Sequence, residues 1–422
     1  MSAQFVDHRV PTPDPGRGPA EDFVTAHLFE LCQEHDTGEV VSSFRFRGGQ
    51  SEADRRLEAF DVTGYARFRN EAYPERARGA SALSPYIRHG MLSLARVWDA
   101  VAGGPEEDVE RFRDQLLWQE YARHWYGRLG SATARPLRRD YPDAVEPTVS
   151  PSEVWDQDMA CMELTVGELE EEGWLVNQTR MWLASQWTVR QGLSWRTGED
   201  YFFRHLIDGS RAANRLGWQW SSGLGSNRAY GFSRWQVEQR APGLCASCDL
   251  GAHCPIDQWP DDPVGVRVDT DPRIGRDEDP TVTAGPDGVE IALDGSDPEA
   301  VWLTAESLGD ADPALVSNPD LPVVFVFDAP LLSRLRLSSK RLVFLAETLA
   351  ELGTRRPLEL YVGDPVSVLA DRPLAATFAP VPGWRTRAGR LNMVETHPWR
   401  WLRRPAGGSV GSFSAWSRSA TL

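Results

Sequence analysis

Two stretches of the 422-residue chain carry residue types that do chemistry. The first, CASCDLGAHCP, puts Cys245, Cys248 and Cys254 close together. Thiolates grouped this way hold metal, and buried thiols are the alternative. The chain has five cysteines, an odd number, and its start, MSAQFVDHRVPTPDPG, has no apolar signal core. That pattern argues against a disulfide framework and leads to the expectation of a cytoplasmic protein. The second stretch, DGSRAANRLGWQW (208–220), ends in Trp218 and Trp220. Indoles stack on flat molecules and can relay electrons. They also fill cores, and a chain with 17 Trp has many to place.

Composition narrows the classes. The apolar fraction of 41% is enough for a sizeable core, and the length suits two to four domains. No apolar run approaches a membrane span, so no membrane partner is expected. The net charge is -16, and Lys340 is the only lysine. Such a field repels nucleic acid in general, so any DNA contact needs a local arginine patch.

These residues need elements to position them. Residues 1–45 read as an N-terminal extension: a Pro/Gly-rich tail, then a short amphipathic helix over 21–35 that contains Cys32. Residues 46–258 read as all-α. SEADRRLEAF, PEEDVERFRDQLLWQEYARHWYGRL and TVGELEEEGWLVNQTRMWLASQWTVRQ repeat apolar residues at helical spacing. The acidic run GELEEEG (167–173) reads as a solvated helix face, and isolated histidines as surface or packing residues. Residues 259–298 form an acidic Pro/Gly-rich linker. Residues 299–422 then alternate strand and helix: strands at 300–304, 322–328, 357–364 and 373–380, with helices at 338–352 and 365–371. That order predicts a small parallel-sheet, Rossmann-like α/β domain at the C-terminus.

The DGSRAANRLGWQW stretch resembles the flavin-binding core of the photolyase/cryptochrome family. FRGGQSEADRRLEAF (46–60), GASALSPYIRHGMLS (79–93), RDQLLWQEYARHWY (113–126), EGWLVNQTRM (172–181) and SWRTGEDYFFRHLIDGSRAANRLGWQW (194–220) appear in the family's order. AVWLTAESLGDADPAL (300–315), FDAPLLSRLRLSSKRLVFLAETLAEL and VGDPVSVL resemble its antenna domain. The family places that domain first, so this chain looks domain-permuted. The resemblance implies an α-helical FAD-binding domain of photolyase type. No antenna contact can be matched, and the antenna chromophore stays unassigned.

The family match assigns roles by position. Tyr65, Ser81, Leu83 and Ser84 match the diphosphate-holding motif, with Ala80 and Ala82 where the family often has Thr and Arg. Arg180 and Asp208 match an ion pair beside the isoalloxazine, where a guanidinium steadies a reduced, anionic flavin. Asn214 matches the amide facing flavin N5, and Ser210 stands where Asp is usual. Trp218 and Trp195 match the first two members of an electron-transfer chain. The third has no match, and Tyr141 or another Trp could replace it. Trp118 and Trp220 match the walls that hold a flipped pyrimidine dimer, and Asn177 and Met181 match the rest of that pocket. Gln115 replaces the acid that bonds the dimer, and Gln119 replaces an Arg. The paired histidines of the other pyrimidine photoproduct are absent, with Val176 and Asn177 in their place.

The cysteine spacing resembles the iron–sulfur loop of DNA glycosylases related to endonuclease III. It also resembles a bacterial photolyase subgroup with a 4Fe-4S cluster, although the downstream spacing here is shorter. In that pattern Cys161, 84 residues before Cys245, completes the set with Cys248 and Cys254, and Cys32 is a core thiol. Zinc would also accept four thiolates. The resemblance implies a blue-light DNA photolyase, a carbon–carbon lyase acting on cyclobutane dimers in UV-damaged, preferentially single-stranded DNA. The alternative is a cryptochrome-like photoreceptor or redox flavoprotein with a protein signalling partner. The retained Trp118, Trp220, Asn177 and Met181 favour repair, whereas Gln115, Gln119, Ser210 and the charge favour sensing.

Overall fold

The computed structural model describes residues 7–419 apart from 37, 227 and 294. Nine strands occur among them: β1 (His8–Val10), β2 (Arg139–Asp140), β3 (Val266–Arg267), β4 (Glu290–Ile291), β5 (Ala300–Leu303), β6 (Val323–Asp328), β7 (Leu358–Gly363), β8 (Leu374–Thr377) and β9 (Met393–His397). Seven of them build one sheet in the order β1-β7-β6-β5-β8-β9-β4. The five central strands are parallel, and β1 and β4 close the edges antiparallel. The direction of winding reverses between β5 and β8, so this is a doubly wound sheet with its switch point there.

The sheet forms because its strands are apolar on both faces. Along β6, Val323, Phe325 and Phe327 enter one core, and Val324 and Val326 enter the other. The helix Ser339–Gly353 covers the first face and is buried almost all round. Its other side packs Phe344 among residues of the helical domain. The glycine pair of FRGGQ meets it there. At Gly48 a side chain would collide with the Phe344 carbonyl. The Gly48 and Gly49 amides donate to Glu347 (2.7 Å) and the Thr348 hydroxyl (3.0 Å).

The helical domain surrounds the long helix Glu106–Leu129, which starts on three acidic residues that suit its N-terminus. The stretch over 165–191 that repeats apolar residues at helical spacing is divided. Helix Ala160–Gly167 runs into a π-turn, Glu168–Glu172. Gly173 (φ 67) then reverses the chain before helix Asn177–Ser185. The acidic run is not a solvated face. Glu168 pairs with Arg78, Glu170 accepts from Tyr201, and Glu172 accepts from the Ser43 hydroxyl and the Arg45 amide. His89 is fully buried, bonded to the Ala305 and Ile207 carbonyls, and burial lowers its pKa well below the ordinary histidine value.

Both chain ends cross between the two halves. β1 pairs with β7, and helix Arg17–His27 packs on helix Ser339–Gly353, so residues expected as an extension complete the sheet layer. The linker region carries β3, which pairs with β2, then helix Pro280–Ala284 against the long helix, then β4 on the sheet edge. After β9 the chain leaves the sheet and returns to the long helix. Val410 and Trp416 join a core with Leu117, Tyr121 and Trp125. Glu120, fully buried, anchors this return by accepting from the Leu402 and Arg403 amides (2.5 and 3.0 Å).

Candidate functional site

A cavity of about 820 Å³ opens between the helical domain and the sheet's switch point. That volume falls within the roughly 300–1,000 Å³ typical of small-molecule sites. The long helix supplies one wall and helix Arg211–Ser221 another. Glu306, just beyond β5, and Pro380 and Val381, beyond β8, close the sheet side.

Of the residues matched to FAD, Tyr65, Ser81, Ser84, Arg180, Asp208, Ser210 and Asn214 all line this cavity. Leu83 does not. Its side chain is fully buried in the adjacent core with Tyr86 and Ile87, because an isobutyl group has nothing to offer a diphosphate. Ser84 accepts a hydrogen bond from Trp174 Nε1 (2.9 Å), and Tyr65 is pushed up to about 12 by burial, so it is a neutral phenol there. Arg69 and Arg88 also line the cavity and supply cations that the pattern of serines alone did not reveal.

Arg180 donates to Asp208 Oδ2 at 2.8 Å and to the Leu175 carbonyl at 3.1 Å. Among the described residues, Asp208 Oδ1, Asn214 Nδ2 and Trp218 Nε1 are buried without a hydrogen-bond partner. Buried polar atoms normally find partners. Three orphans on residues lining one cavity fit a bound molecule that presents donors and acceptors to them. The donor set fits FAD: hydroxyls and arginines for phosphate, an amide and an ion pair for the ring.

Trp218 lines the cavity and is 2% exposed. Trp195 does not reach the cavity, and none of the ring contacts found among the described residues joins it to Trp218. Instead the Arg196 guanidinium lies 5.0 Å over its ring. Tyr141 donates to the Ser222 carbonyl. Gln115, Trp118, Trp220, Asn177 and Met181 all line the cavity. Trp118 and Trp220 are partly exposed, at 39% and 45%. Phe413, from the C-terminal helix Phe413–Ser419, stacks on Trp118 with centroids 4.1 Å apart and planes 8° off parallel. This covering residue was not expected from sequence. A lone Phe after GSVGS carries no periodic signal.

The cysteines converge on a second, smaller recess. Cys161, from helix Ala160–Gly167, meets Cys245, Cys248 and Cys254 around it, beside Met159, Arg234 and Ile256. Burial, then the neighbouring thiols, push Cys161 up to about 12. Thiol groups gathered around one recess suit a metal group, which binds the thiolate form. Cys32 lies apart in the sheet core.

A cavity of this volume between a helical domain and a doubly wound sheet, with aromatic and arginine side chains on its walls, has the form of a small-molecule cofactor site. Residues 112–241 match the family model described as the FAD binding domain of DNA photolyase. Over that segment the chain is similar to the FAD-binding domain of DNA photolyases. It is 29% identical over 199 residues to a deoxyribodipyrimidine photo-lyase of a Synechococcus species, covering 43% of this chain and 40% of that protein. Among solved structures it resembles a bacterial class III photolyase from Agrobacterium tumefaciens. That match is 25% identical with a TM-score of 0.37, covering 41% of this chain and 37% of the other. It also resembles a Synechocystis cryptochrome, 23% identical with a TM-score of 0.42, covering 47% of this chain and 44% of the other. The chain spans about two-fifths of the length of the curated relatives it matches. Among the described residues no helix is long and apolar enough to cross a membrane.

Proposed function

We propose that the chain is an FAD-dependent, blue-light-driven flavoprotein of photolyase type. The cavity holds FAD, Trp218 donates the electron that reduces it, and Trp118 and Trp220 present a cyclobutane pyrimidine dimer of UV-damaged DNA. The observation that carries this reading is the set of orphaned polar atoms on Asp208, Asn214 and Trp218 in a cavity of the right volume. FAD, when bound, supplies light absorption and one-electron chemistry. The protein's own contribution is placement. Asp208 fixes Arg180, which offers a cation to an anionic ring. Asn214 offers an amide that donates or accepts as the ring's protonation changes. Arg138 lines the same cavity and offers the kind of local cation that DNA docking requires in so acidic a chain.

The cysteine recess is read as a 4Fe-4S site. Its four thiols surround a space, yet no three His, Cys, Asp or Glu among the described residues close on a single ion. Zinc would need its sulfurs drawn in to about 2.3 Å from one centre.

The stack of Phe413 on Trp118 favours a second reading, a cryptochrome-like photoreceptor that signals to a protein partner. One wall for a flipped base is already covered by the chain itself, and Gln115 beside it is not an acid. Illuminating the reduced, FAD-loaded protein with single-stranded DNA containing thymine dimers separates the two. Loss of dimers is the expected result. Unchanged dimers with flavin still bound would leave the receptor reading.

A further inference from the structure

The electron that Trp218 gives up must be replaced, and the chain offers a route that avoids Trp195. Trp218 and Trp187 have ring centroids 6.5 Å apart, Trp187 and Trp155 5.0 Å, and Trp155 and Tyr201 5.5 Å. Trp187 and Trp155 are fully buried. Each of their indole N–H groups donates to a backbone carbonyl, Trp187 to Ser194 (2.7 Å) and Trp155 to Leu183 (2.9 Å). Gly198 makes the first step possible. A side chain there would collide with the Trp218 ring and come within 3.1 Å of Trp187.

Physical chemistry separates this route from the Trp195 branch. An oxidised indole is a cation, and a cation is disfavoured next to another in a poorly solvated place. Arg196 stacks on Trp195, and its pairing with Glu199 (2.5 Å) and Asp200 (3.7 Å) only softens that charge. No cation–π contact found among the described residues involves Trp187 or Trp155. The route also ends well. The Tyr201 hydroxyl donates to Glu170, so the phenol has a base in place for its proton. His205, packed on Tyr201 at 4.3 Å, is held neutral by burial, its pKa lowered to about 3.

We propose that Trp218, Trp187, Trp155 and Tyr201 form the working electron relay of this chain, with Tyr201–Glu170 as its proton-coupled end. The relay rests on the flavin reading above. Trp218 loses one electron to the light-excited isoalloxazine. Trp187 refills Trp218, Trp155 refills Trp187, and Tyr201 refills Trp155. The Tyr201 phenolic proton moves to the Glu170 carboxylate as the electron leaves. The products are a neutral tyrosyl radical, a protonated Glu170 and a flavin richer by one electron. A soluble thiolate then returns an electron to Tyr201, Glu170 returns the proton, and the thiolate leaves as a thiyl radical. Releasing the proton with the electron avoids leaving a cation in the core, which gives the separated charge a long life.

The test is flash photolysis and freeze-quench EPR of the full chain loaded with oxidised FAD. The wild type should show a tyrosyl radical after the flash, and Tyr201→Phe should replace it with a short-lived tryptophanyl signal. Trp187→Phe should slow flavin photoreduction by at least an order of magnitude more than Trp195→Phe does. Absence of a tyrosyl radical in the wild type, or a larger effect from Trp195→Phe, would overturn the relay. If Trp187→Phe does not fold, the wild type and Tyr201→Phe still decide, because that change removes only a hydroxyl. Trp218→Phe keeps the two levels apart. If its photoreduction matches the wild type, the flavin reading itself fails. If it is slow while Trp187→Phe is harmless, only the relay fails.

Discussion

Arg180 and Asp208 allow a quantitative test of how the site holds its cofactor. The pair is 2.8 Å apart, with the carboxylate side chain 5% exposed and the guanidinium 23% exposed. Among the described residues, the other hydrogen bond of Arg180 goes to the Leu175 carbonyl. A hydrogen bond to a charged group contributes about 1.5–3 kcal/mol. Arg180→Gln should therefore weaken FAD binding by about ten- to a hundredfold, each tenfold being about 1.4 kcal/mol. Asp208→Asn keeps the shape but releases the guanidinium, which is partly wet and can turn to solvent. Its loss should be smaller, about 1 kcal/mol or fivefold. Asp208→Asn leaves an amide oxygen in place of the Oδ1 that faces the cavity, so what it loses acts through the same guanidinium, and the double variant should bind FAD no worse than Arg180→Gln alone. The assay is a titration of apoprotein with FAD, followed by quenching of flavin fluorescence. Additive losses would refute the idea that Asp208 works by positioning Arg180. Equal affinity of Arg180→Gln and wild type would refute the placement of the ring beside Arg180.

Other expectations follow from the same geometry. Gly198→Ala should displace the Trp218 ring, lower stability by about 1–3 kcal/mol and slow photoreduction, read by denaturation and by flavin bleaching. Phe413→Ala should free one face of Trp118 and strengthen binding of a dimer-containing oligonucleotide, because a base no longer displaces a stacked ring; weaker binding would mean that Phe413 builds the site. Cys161→Ala should remove iron and acid-labile sulfide from the purified protein, whereas zinc in the wild type would contradict the cluster. Asp312 is raised to about 6 by burial despite the Ala314 and Leu315 amides that it accepts from. The native state thus holds a proton that the unfolded chain has released. Stability should fall as pH rises from about 4 to about 6, and Asp312→Asn should flatten that fall, measured by melting temperature against pH.

The sequence made the periodic elements visible for physical reasons. PVVFVFD is an apolar β-branched run of the kind that a covered parallel strand uses, PLELYVGD is a shorter one bounded by Pro and Gly-Asp, and they became β6 and β7. PEEDVERFRDQLLWQEYARHWYGRL keeps helical spacing over seven turns and stayed one helix. Arg180, Asn214 and Trp218 fall on helices, and Asp208 in the turn before one, so their placement on the cavity wall follows from local pattern. What pattern could not show was long-range. HRV is too short to signal an edge strand, and only its pairing with β7 gives it meaning. The return of the C-terminus to the long helix depends on Glu120 meeting the Leu402 and Arg403 amides, a contact between residues some 280 positions apart. Trp187 falls in a π-turn (Gln186–Arg190), where helical spacing no longer predicts which way a ring faces.

Electron density from a crystal of the FAD-loaded chain tests the central claim most directly. The predicted result is an isoalloxazine in van der Waals contact with Trp218, bonded to Asn214 and flanked by Arg180. FAD found on the sheet domain, or a cavity that stays closed to it in crystals grown with excess FAD, would contradict the account.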